Sequence, residues 1–300
     1  MASEPIAAAI TAVVVSHYSG ATLGECLRRL LAADQVGHVI VIDNGSGDDS
    51  LTIARTAAAA NPRITVLART DNPGFAVACN QGAERASTDW LAMVNPDLMV
   101  EPDTLARLQA ALIVEPELGL IGAEQVDAEG RLDPAVRRRD PSLIALLASA
   151  GRADFTIARD PDRRVQRVDA ISGALMLMPT ELFRHIGGFD PGYRLHVEDL
   201  DLCRRVRRAG RAVAIANDVR VLHVRGVSSR RRPIWVEWHK HHGIWRYFNT
   251  FEAAQVSAPL RGLVALAVAL HFLLAAVRAG WRTWRHRTAD SATARAGHTR

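Results

Sequence analysis

Apolar residues fall along this chain in short β-branched runs separated by helical patterns, each run closed by polar, turn-forming residues. Ile10 to Val15 is such a run, and it ends at Ser16-His17-Tyr18-Ser19-Gly20, which predicts a buried strand opening into a polar loop. Thr22 to Leu31 follows with Leu23, Leu27, Leu30 and Leu31 at helical spacing. Val39 to Ile42 predicts a second strand, stopping at Asp43-Asn44-Gly45-Ser46. A helix over Leu51 to Ala60 and a third strand over Ile64 to Leu67 come next. Asn72-Pro73-Gly74-Phe75 opens another helix through Asn80-Gln81-Gly82, and Trp90 to Val94 is a fourth strand ending at Asn95-Pro96-Asp97. Strands alternating with helices in this way predict a parallel sheet covered on both faces.

The second half is more mixed. Pro102 to Val114 predicts a helix, Leu118 to Ala123 a strand and Asp127 to Arg131 a turn. Arg137 to Ala170 is a long polar region, and its Arg137-Arg138-Arg139 run reads as a solvated face. A strand over Ile171 to Met178 and a short helix over Glu181 to Ile186 lead into the glycine-hinged loop Ile186-Gly187-Gly188-Phe189-Asp190. His196-Val197-Glu198-Asp199-Leu200-Asp201 then starts an amphipathic helix. Val213 to Ala216 and Val219 to Val224 read as two further strands, ending in His223 and an arginine-rich loop over Arg225 to Arg232.

Composition narrows the class. A chain of 300 residues with 48% apolar and 23% charged residues suits one large α/β domain with an appendage. All its basic residues but Lys240 are arginine, and from Pro259 to Arg300 the only acid is Asp290. Such a basic tail suits an anionic membrane surface. For nucleic acid there is charge alone and no recognisable module, so no nucleic-acid partner is expected. Cys26, Cys79 and Cys203 form no CxxC pair and read as small buried hydrophobes of a reducing compartment. The first residues carry Glu4 and no Lys or Arg before Arg28, which does not read as a secretory signal. Neither GxGxxG nor GxxxxGK[ST] occurs, which disfavours a dinucleotide dehydrogenase and a P-loop NTPase.

Candidate chemistry collects at the ends of the predicted strands. In open α/β sheets ligands bind outside the carboxyl ends of the strands, and Asp43 and Asp97 both stand there. Each pattern alone is also ordinary turn chemistry; two at equivalent strand ends favour a shared site. Asp199 lies at a helix N-terminus, where the dipole favours a charged carboxylate, and one such group facing a cleft would serve as a general base. Glu198 and Asp201 are three apart and share a helix face. Support of the loop or acceptor and plain helix capping are both open for Asp201. His223 ends a strand within reach of a diphosphate, although a histidine there is also a common structural residue. Arg230, Arg231 and Arg232 read equally as phosphate contacts or as a solvated run.

Taken together, the blocks Val15-Ser16-His17-Tyr18, Val41-Ile42-Asp43-Asn44-Gly45-Ser46, Asn72-Pro73-Gly74-Phe75, Asn95-Pro96-Asp97, Ser172-Gly173-Ala174, Gly187-Gly188-Phe189-Asp190 and Glu198-Asp199-Leu200-Asp201-Leu202 resemble the inverting family 2 glycosyltransferases, in particular their rhamnosyltransferase-like branch. The resemblance spans roughly Ala9 to Phe248 and implies a GT-A fold, an α/β nucleotide-sugar domain on a mixed sheet flanked by helices. It implies that Asp43 contacts the nucleotide base and that Asn44, Asn72, Gly74, Asn80 and Asn95 belong to the nucleotide-sugar pocket. Asn95-Pro96-Asp97 stands where many relatives carry Asp-X-Asp, so Asp97, with His223, would hold Mg²⁺ or Mn²⁺ on the diphosphate; Asn95 removes one carboxylate from that pattern. Asp199 aligns with the catalytic base, and Glu198, Asp201 and Asp190 would support the acceptor side. The implied reaction moves a sugar from a nucleotide-diphosphate donor, with deoxythymidine diphosphate rhamnose the first candidate. The acceptor would be a glycan or lipid-linked acceptor in cell-envelope polysaccharide assembly. A nucleotidyltransferase and a non-catalytic sugar-binding scaffold are the alternatives.

The appendage begins at Pro233. Pro233 to Phe251 mixes Trp235, Trp238, Trp245, Tyr247 and Phe248 with His239, Lys240, His241, His242 and Arg246, in a spacing that fits no standard zinc pattern. Gly262 to Val277 is apolar apart from His271 and is bounded by Arg261 and Arg278. That is shorter than the ~20 residues of a spanning helix, so an interfacial anchor on the cytoplasmic face of the membrane is expected, with a buried core helix or a tilted span as alternatives. The expected divisions are a transferase domain over 1–232, a helical membrane-associating extension over 233–288 and a disordered tail over 289–300.

Overall fold

The computed structural model describes residues 9–142, 154–224 and 233–296, with side chains described as far as residue 281. The chain divides into two compact units, residues 1–141 with 154–228, and residues 142–153 with 229–300.

The first unit is built on a mixed sheet. Strands β1 (Ile10–Ser16), β2 (Val36–Asn44), β3 (Ile64–Arg69) and β4 (Trp90–Val94) alternate with helices α1 (Gly20–Ala32), α2 (Ser50–Ala60) and α3 (Phe75–Glu84). These four strands pair in parallel in the order β3-β2-β1-β4. After β5 (Leu98–Met99) and α4 (Thr104–Val114) come β6 (Leu118–Val126), β7 (Arg137–Arg138), β8 (Val165–Val168), β9 (Ala170–Ile171) and β10 (Leu175–Pro179). Helices α5 (Thr180–His185) and α6 (Glu198–Arg208) and strand β11 (Ala212–His223) complete the unit. The sheet continues β4-β10-β6-β11-β5, with β8 also on β11. β10 runs antiparallel to both its neighbours. Strands β7 and β9 form a separate antiparallel ribbon.

The continuous apolar runs of the first strands follow from a sheet covered on both faces. Successive residues of β1 go to opposite sides. Ala12 and Val14 join Leu23, Leu27 and Leu30 of α1 and Leu105 and Leu108 of α4. Val13 and Val15 join Ala76 and Cys79 of α3 and Leu202 and Val206 of α6. Cys26, Cys79 and Cys203 are all free and buried, and burial pushes the Cys26 and Cys203 thiols up to about 12. They behave as small hydrophobes, as their sequence settings suggest.

Two elements differ from the sequence reading. The expected strand over 171–178 is interrupted at Ser172-Gly173-Ala174, where β9 leaves the ribbon and β10 enters the main sheet. The two strands expected at 213–216 and 219–224 are one strand, β11, whose register with β6 shifts between Ala216 and Arg220. Asn217 sits at that irregularity, buried, and its Nδ2 donates to the carbonyls of Asp160 and Arg163. A bulge absorbs the polar pair Asn217-Asp218 without ending the strand.

In the second unit α7 (Pro233–Phe251) is joined through a short 3-10 turn, Ala253–Gln255, to α8 (Ala258–Ala296). Phe248, Ala253 and Val264 form a small core between them. Trp238 packs edge-on against Phe272 with ring centroids 5.4 Å apart. His241 Nε2 is 2.7 Å from His271 Nδ1. Within α8 the most apolar 18-residue window has mean hydropathy 2.2 and is 6% buried, and the stretch that holds it, Ala258–Trp281, is 24 residues long. At 1.5 Å per residue that is about 36 Å, enough to cross a bilayer core of ~30 Å. The interval between Arg261 and Arg278 therefore understated the apolar helix, because the helix continues through both arginines. The helix also runs on to Ala296, through most of the expected tail.

Candidate functional site

The carboxyl ends of β1 and β2 carry three buried polar atoms that no described protein group satisfies, Ser16 Oγ, Asp43 Oδ1 and Asn44 Oδ1. Ser16 and Asp43 are register partners in adjacent strands, and Ser16, Asp43 and Asn44 are 0%, 1% and 2% exposed. Leaving one such atom unpaired costs about 1–3 kcal/mol, and these three lie together at the ends of β1 and β2. The other atoms of these residues are already fixed. Asp43 Oδ2 accepts from the Ser46 amide at 3.0 Å. Asn44 Nδ2 donates to Gly74 O at 3.3 Å and Asn72 Oδ1 at 3.4 Å. Asn72 Oδ1 also accepts from the Gly74 amide at 3.0 Å, and Arg194 donates to Asn72 O at 2.7 Å. Gly74 has φ +103°, and a Cβ there would meet Arg194 O at 2.5 Å. Backbone passes so close to backbone that only glycine fits.

Asp97 lies just before β5, and the two-residue pairing of β5 with the end of β11 sets His223 opposite Leu98. His223 Nε2 is 3.2 Å from Asp97 Oδ1. His223 Nδ1 is 2.9 Å from Oε1 of the buried Gln125. An amide oxygen only accepts, so Nδ1 donates to Gln125, and Nε2 is left to donate to Asp97 or to give its lone pair to a cation beside it. Two lone-pair donors so arranged fit a divalent cation. Among the described residues no group of three His, Cys, Asp or Glu converges, so such a cation would complete its shell with water and diphosphate oxygens. Asn95 contributes backbone here, its amide donating to Ala174 O at 2.8 Å.

Helix α6 begins with two left-handed residues, His196 at φ +64° and Val197 at φ +74°. A β-branched residue in that region is strained by roughly 1–3 kcal/mol, and the turn sets Asp199 against Gly173. A Cβ at Gly173 would stand 3.3 Å from Asp199 Cβ. The carboxylate is held by three donors. Oδ2 accepts from Arg138 Nη2 at 2.5 Å and from the Gly173 amide at 3.2 Å, and Oδ1 from the Leu200 amide at 2.8 Å. Burial pushes the Asp199 carboxyl up, but the Arg138 charge and these hydrogen bonds hold it below the usual carboxylate range. Glu198 is the opposite case. It is buried with Oε2 unpaired, and burial together with the neighbouring Asp199 charge pushes it up to about 8. The two adjacent carboxyls are thus pushed in opposite directions, Asp199 toward its charged form and Glu198 toward its protonated form.

The remaining expected residues brace the loop before α6. Asn80 spends both ends of its amide on Phe189, donating to its carbonyl at 2.7 Å and accepting from its amide at 2.8 Å. Its contact is with the loop before α6. Asp201 is 1% exposed and pairs with Arg205, whose Nη1 donates to Ile186 O at 2.7 Å and Gly188 O at 2.6 Å. Asp190 accepts from the Gly192 amide at 2.8 Å. Arg230, Arg231 and Arg232 lie outside the described residues.

The arginine run at 137–139 departs most from its sequence reading. Only Arg139 is solvent-exposed. Arg137 is buried against Glu124 and Asn217, and Arg138 meets Asp199. The available signal was the period of two in an extended segment, which cannot place three successive side chains on one face. Gln125, beside Glu124 at the end of β6, gave no signal at all.

Comparison with known proteins identifies the fold and the family. N-acetylglucosaminyl-diphospho-decaprenol L-rhamnosyltransferase of Mycobacterium tuberculosis is 28% identical over 296 residues, covering 92% of this chain and 95% of that one. A structure of GalNAc-T7 with UDP, GalNAc and Mn²⁺ superposes with TM-score 0.64 at 15% identity, over 81% of this chain and 48% of that one. A mannosyltransferase of Pyrobaculum calidifontis with GDP-Man and Mn²⁺ gives TM-score 0.58 at 18% identity, over 96% and 80%. These likenesses establish the GT-A fold. Residues 7–245 match the model of a family described as glycosyltransferase like family 2, and the chain belongs to that family.

Proposed function

We propose that this glycosyltransferase moves rhamnose from a nucleoside-diphosphate donor, with inversion, to a lipid-linked glycan acceptor in cell-envelope polysaccharide assembly. The unsatisfied atoms of Ser16, Asp43 and Asn44 carry the donor reading, because a nucleoside base supplies the polar partners that they lack. The similarity to the mycobacterial rhamnosyltransferase over nearly its whole length supports rhamnose and a polyprenyl-linked acceptor. Inversion needs a single displacement and one general base. Asp199, ionised beside a protonated Glu198, suits that role, taking the proton of the acceptor hydroxyl as its oxygen attacks the anomeric carbon. Asp97 and His223 would hold the cation, which when bound offsets the charge gathering on the leaving diphosphate. The pair of one carboxylate and one imidazole suits Mn²⁺ better than Mg²⁺, which prefers oxygen alone.

The purified protein is expected to melt several degrees higher with deoxythymidine diphosphate rhamnose and Mn²⁺ than with the same sugar and chelator. His223→Ala should remove the Mn²⁺-dependent part of that rise. Stabilisation by a different nucleotide sugar alone would replace rhamnose, and no response to any donor with metal would remove the donor site.

We further propose that α8 contacts the membrane. Leu263, Leu266, Leu270, Leu273, Leu274 and Val277 are all more than half exposed, and arginines flank them. Truncation before Pro259 is expected to move the protein from the membrane to the soluble fraction on ultracentrifugation; retention in the membrane pellet would put the anchor elsewhere.

A further inference from the structure

Arg138 is the long-range partner of Asp199, brought to it from across the chain by the β7–β9 ribbon. The pairing sets Arg138 opposite Ala170, and the neighbours on either side pin its register. Arg137 is locked to Glu124 and Asn217, and Asp140 pairs with Arg204 and Arg207 of α6. A slip of one residue would turn Arg138 to the other face of the ribbon. Its Nη2 bridges two acceptors, Ile171 O at 2.6 Å and Asp199 Oδ2 at 2.5 Å, so the guanidinium is fixed to the backbone just ahead of Gly173 while it holds the carboxylate.

A carboxylate offers about four lone-pair sites. Among the described residues, Arg138 and the Gly173 amide fill those of Asp199 Oδ2, and the Leu200 amide takes one on Oδ1. One site remains, on Oδ1. We infer that Arg138 is the positioning residue of the transfer, holding Oδ2 so that Oδ1 alone is presented to the acceptor hydroxyl. In that step the acceptor O–H bond breaks and its proton passes to Oδ1. The oxygen's electron pair forms the bond to the anomeric carbon, and the bond from that carbon to the diphosphate oxygen breaks with its pair leaving on the diphosphate. The inference rests on the reading of Asp199 as the base. Among the described residues, the charged and titratable groups acting on Asp199 are Arg138 from β7 and Glu198 and Cys203 from its own helix.

Arg138→Met and Arg138→Lys test it, assayed with saturating Mn²⁺ and acceptor across pH 4.5–9. Arg138→Met is expected to lower kcat by about 10–100-fold, leave the donor KM within about twofold, and move the acid limb of kcat upward by about 1–3 pH units as the base loses its opposite charge. Arg138→Lys, which keeps the charge and guards against a variant that fails to fold, should be intermediate, since one ammonium cannot reproduce the planar fork. A kcat within twofold of the parent with an unmoved acid limb overturns the inference. So does a lysine variant equal to the parent, or a kcat loss matched by the donor KM. Asp199→Asn separates the two levels. An active Asp199→Asn defeats the base itself, whereas an inactive one beside parent-like Arg138 variants defeats only the role of Arg138.

Discussion

Asp199→Asn is expected to lower the rate of sugar transfer by about 10²–10⁴-fold while the donor dissociation constant stays within about twofold. Asparagine keeps the size of the side chain, and its oxygen can still accept from Arg138 and the Gly173 amide, which now hold Oδ2. What it lacks is a second oxygen able to take a proton. The proposed donor pocket, at the ends of β1 and β2, holds Ser16, Asp43 and Asn44, none of which bonds to Asp199 among the described contacts. Steady-state transfer beside a nucleotide titration checks both halves of the expectation. A variant that keeps a tenth or more of the parent rate would mean that another group removes the acceptor proton. Some loss of melting temperature accompanies the change, because Arg138 then faces a neutral partner.

Glu198→Gln carries the largest expected effect on stability, and its sign depends on pH. Burial and the adjacent Asp199 charge raise the folded-state Glu198 carboxyl from 4.5 to about 8. Between those values the folded chain keeps a proton that the unfolded chain has released, so its stability falls as pH rises through the window. The contribution is fully present below about pH 4.5 and is lost as pH approaches and passes 8. At about 1.4 kcal/mol per unit of difference, the loss is on the order of a few kcal/mol. Glutamine is neutral at every pH and escapes it. The variant should therefore melt several degrees above the parent at pH 8.5 and close to it at pH 5, in calorimetric scans of both proteins. Equal pH slopes for the two would show that Glu198 is ionised in the folded state or titrates at its ordinary value.

The first four strands were legible because each is a continuous apolar run closed by turn residues, and both faces of the sheet they form are covered. Asp43 and Asp97 were legible for the same reason, as polar residues at the ends of such runs. The antiparallel course of β10 was not, because direction is set by partners far away in the chain and leaves no periodic mark. Arg138 was hidden in a run of like charges whose surface reading is ordinary, and only pairing with β9 turns it toward Asp199. Gln125 and Asn80 act through tertiary hydrogen bonds that no local pattern encodes. The extent of α8 was underestimated because charged residues at its flanks were treated as its ends, whereas long arginine side chains can reach outward from within a helix.

The juxtaposition of Asp97 and His223 also bears on the order in which the chain can mature. Ser16, Asp43 and Asn44 belong to β1 and β2, which precede the rest of this sheet in the chain. The histidine belongs to the last strand of the same unit, and it reaches Asp97 only through the short ladder between β5 and β11. A contact between residues so distant in sequence forms late. During synthesis the ends of β1 and β2 can thus pair long before the Asp97–His223 contact, which waits for the last strand of the sheet.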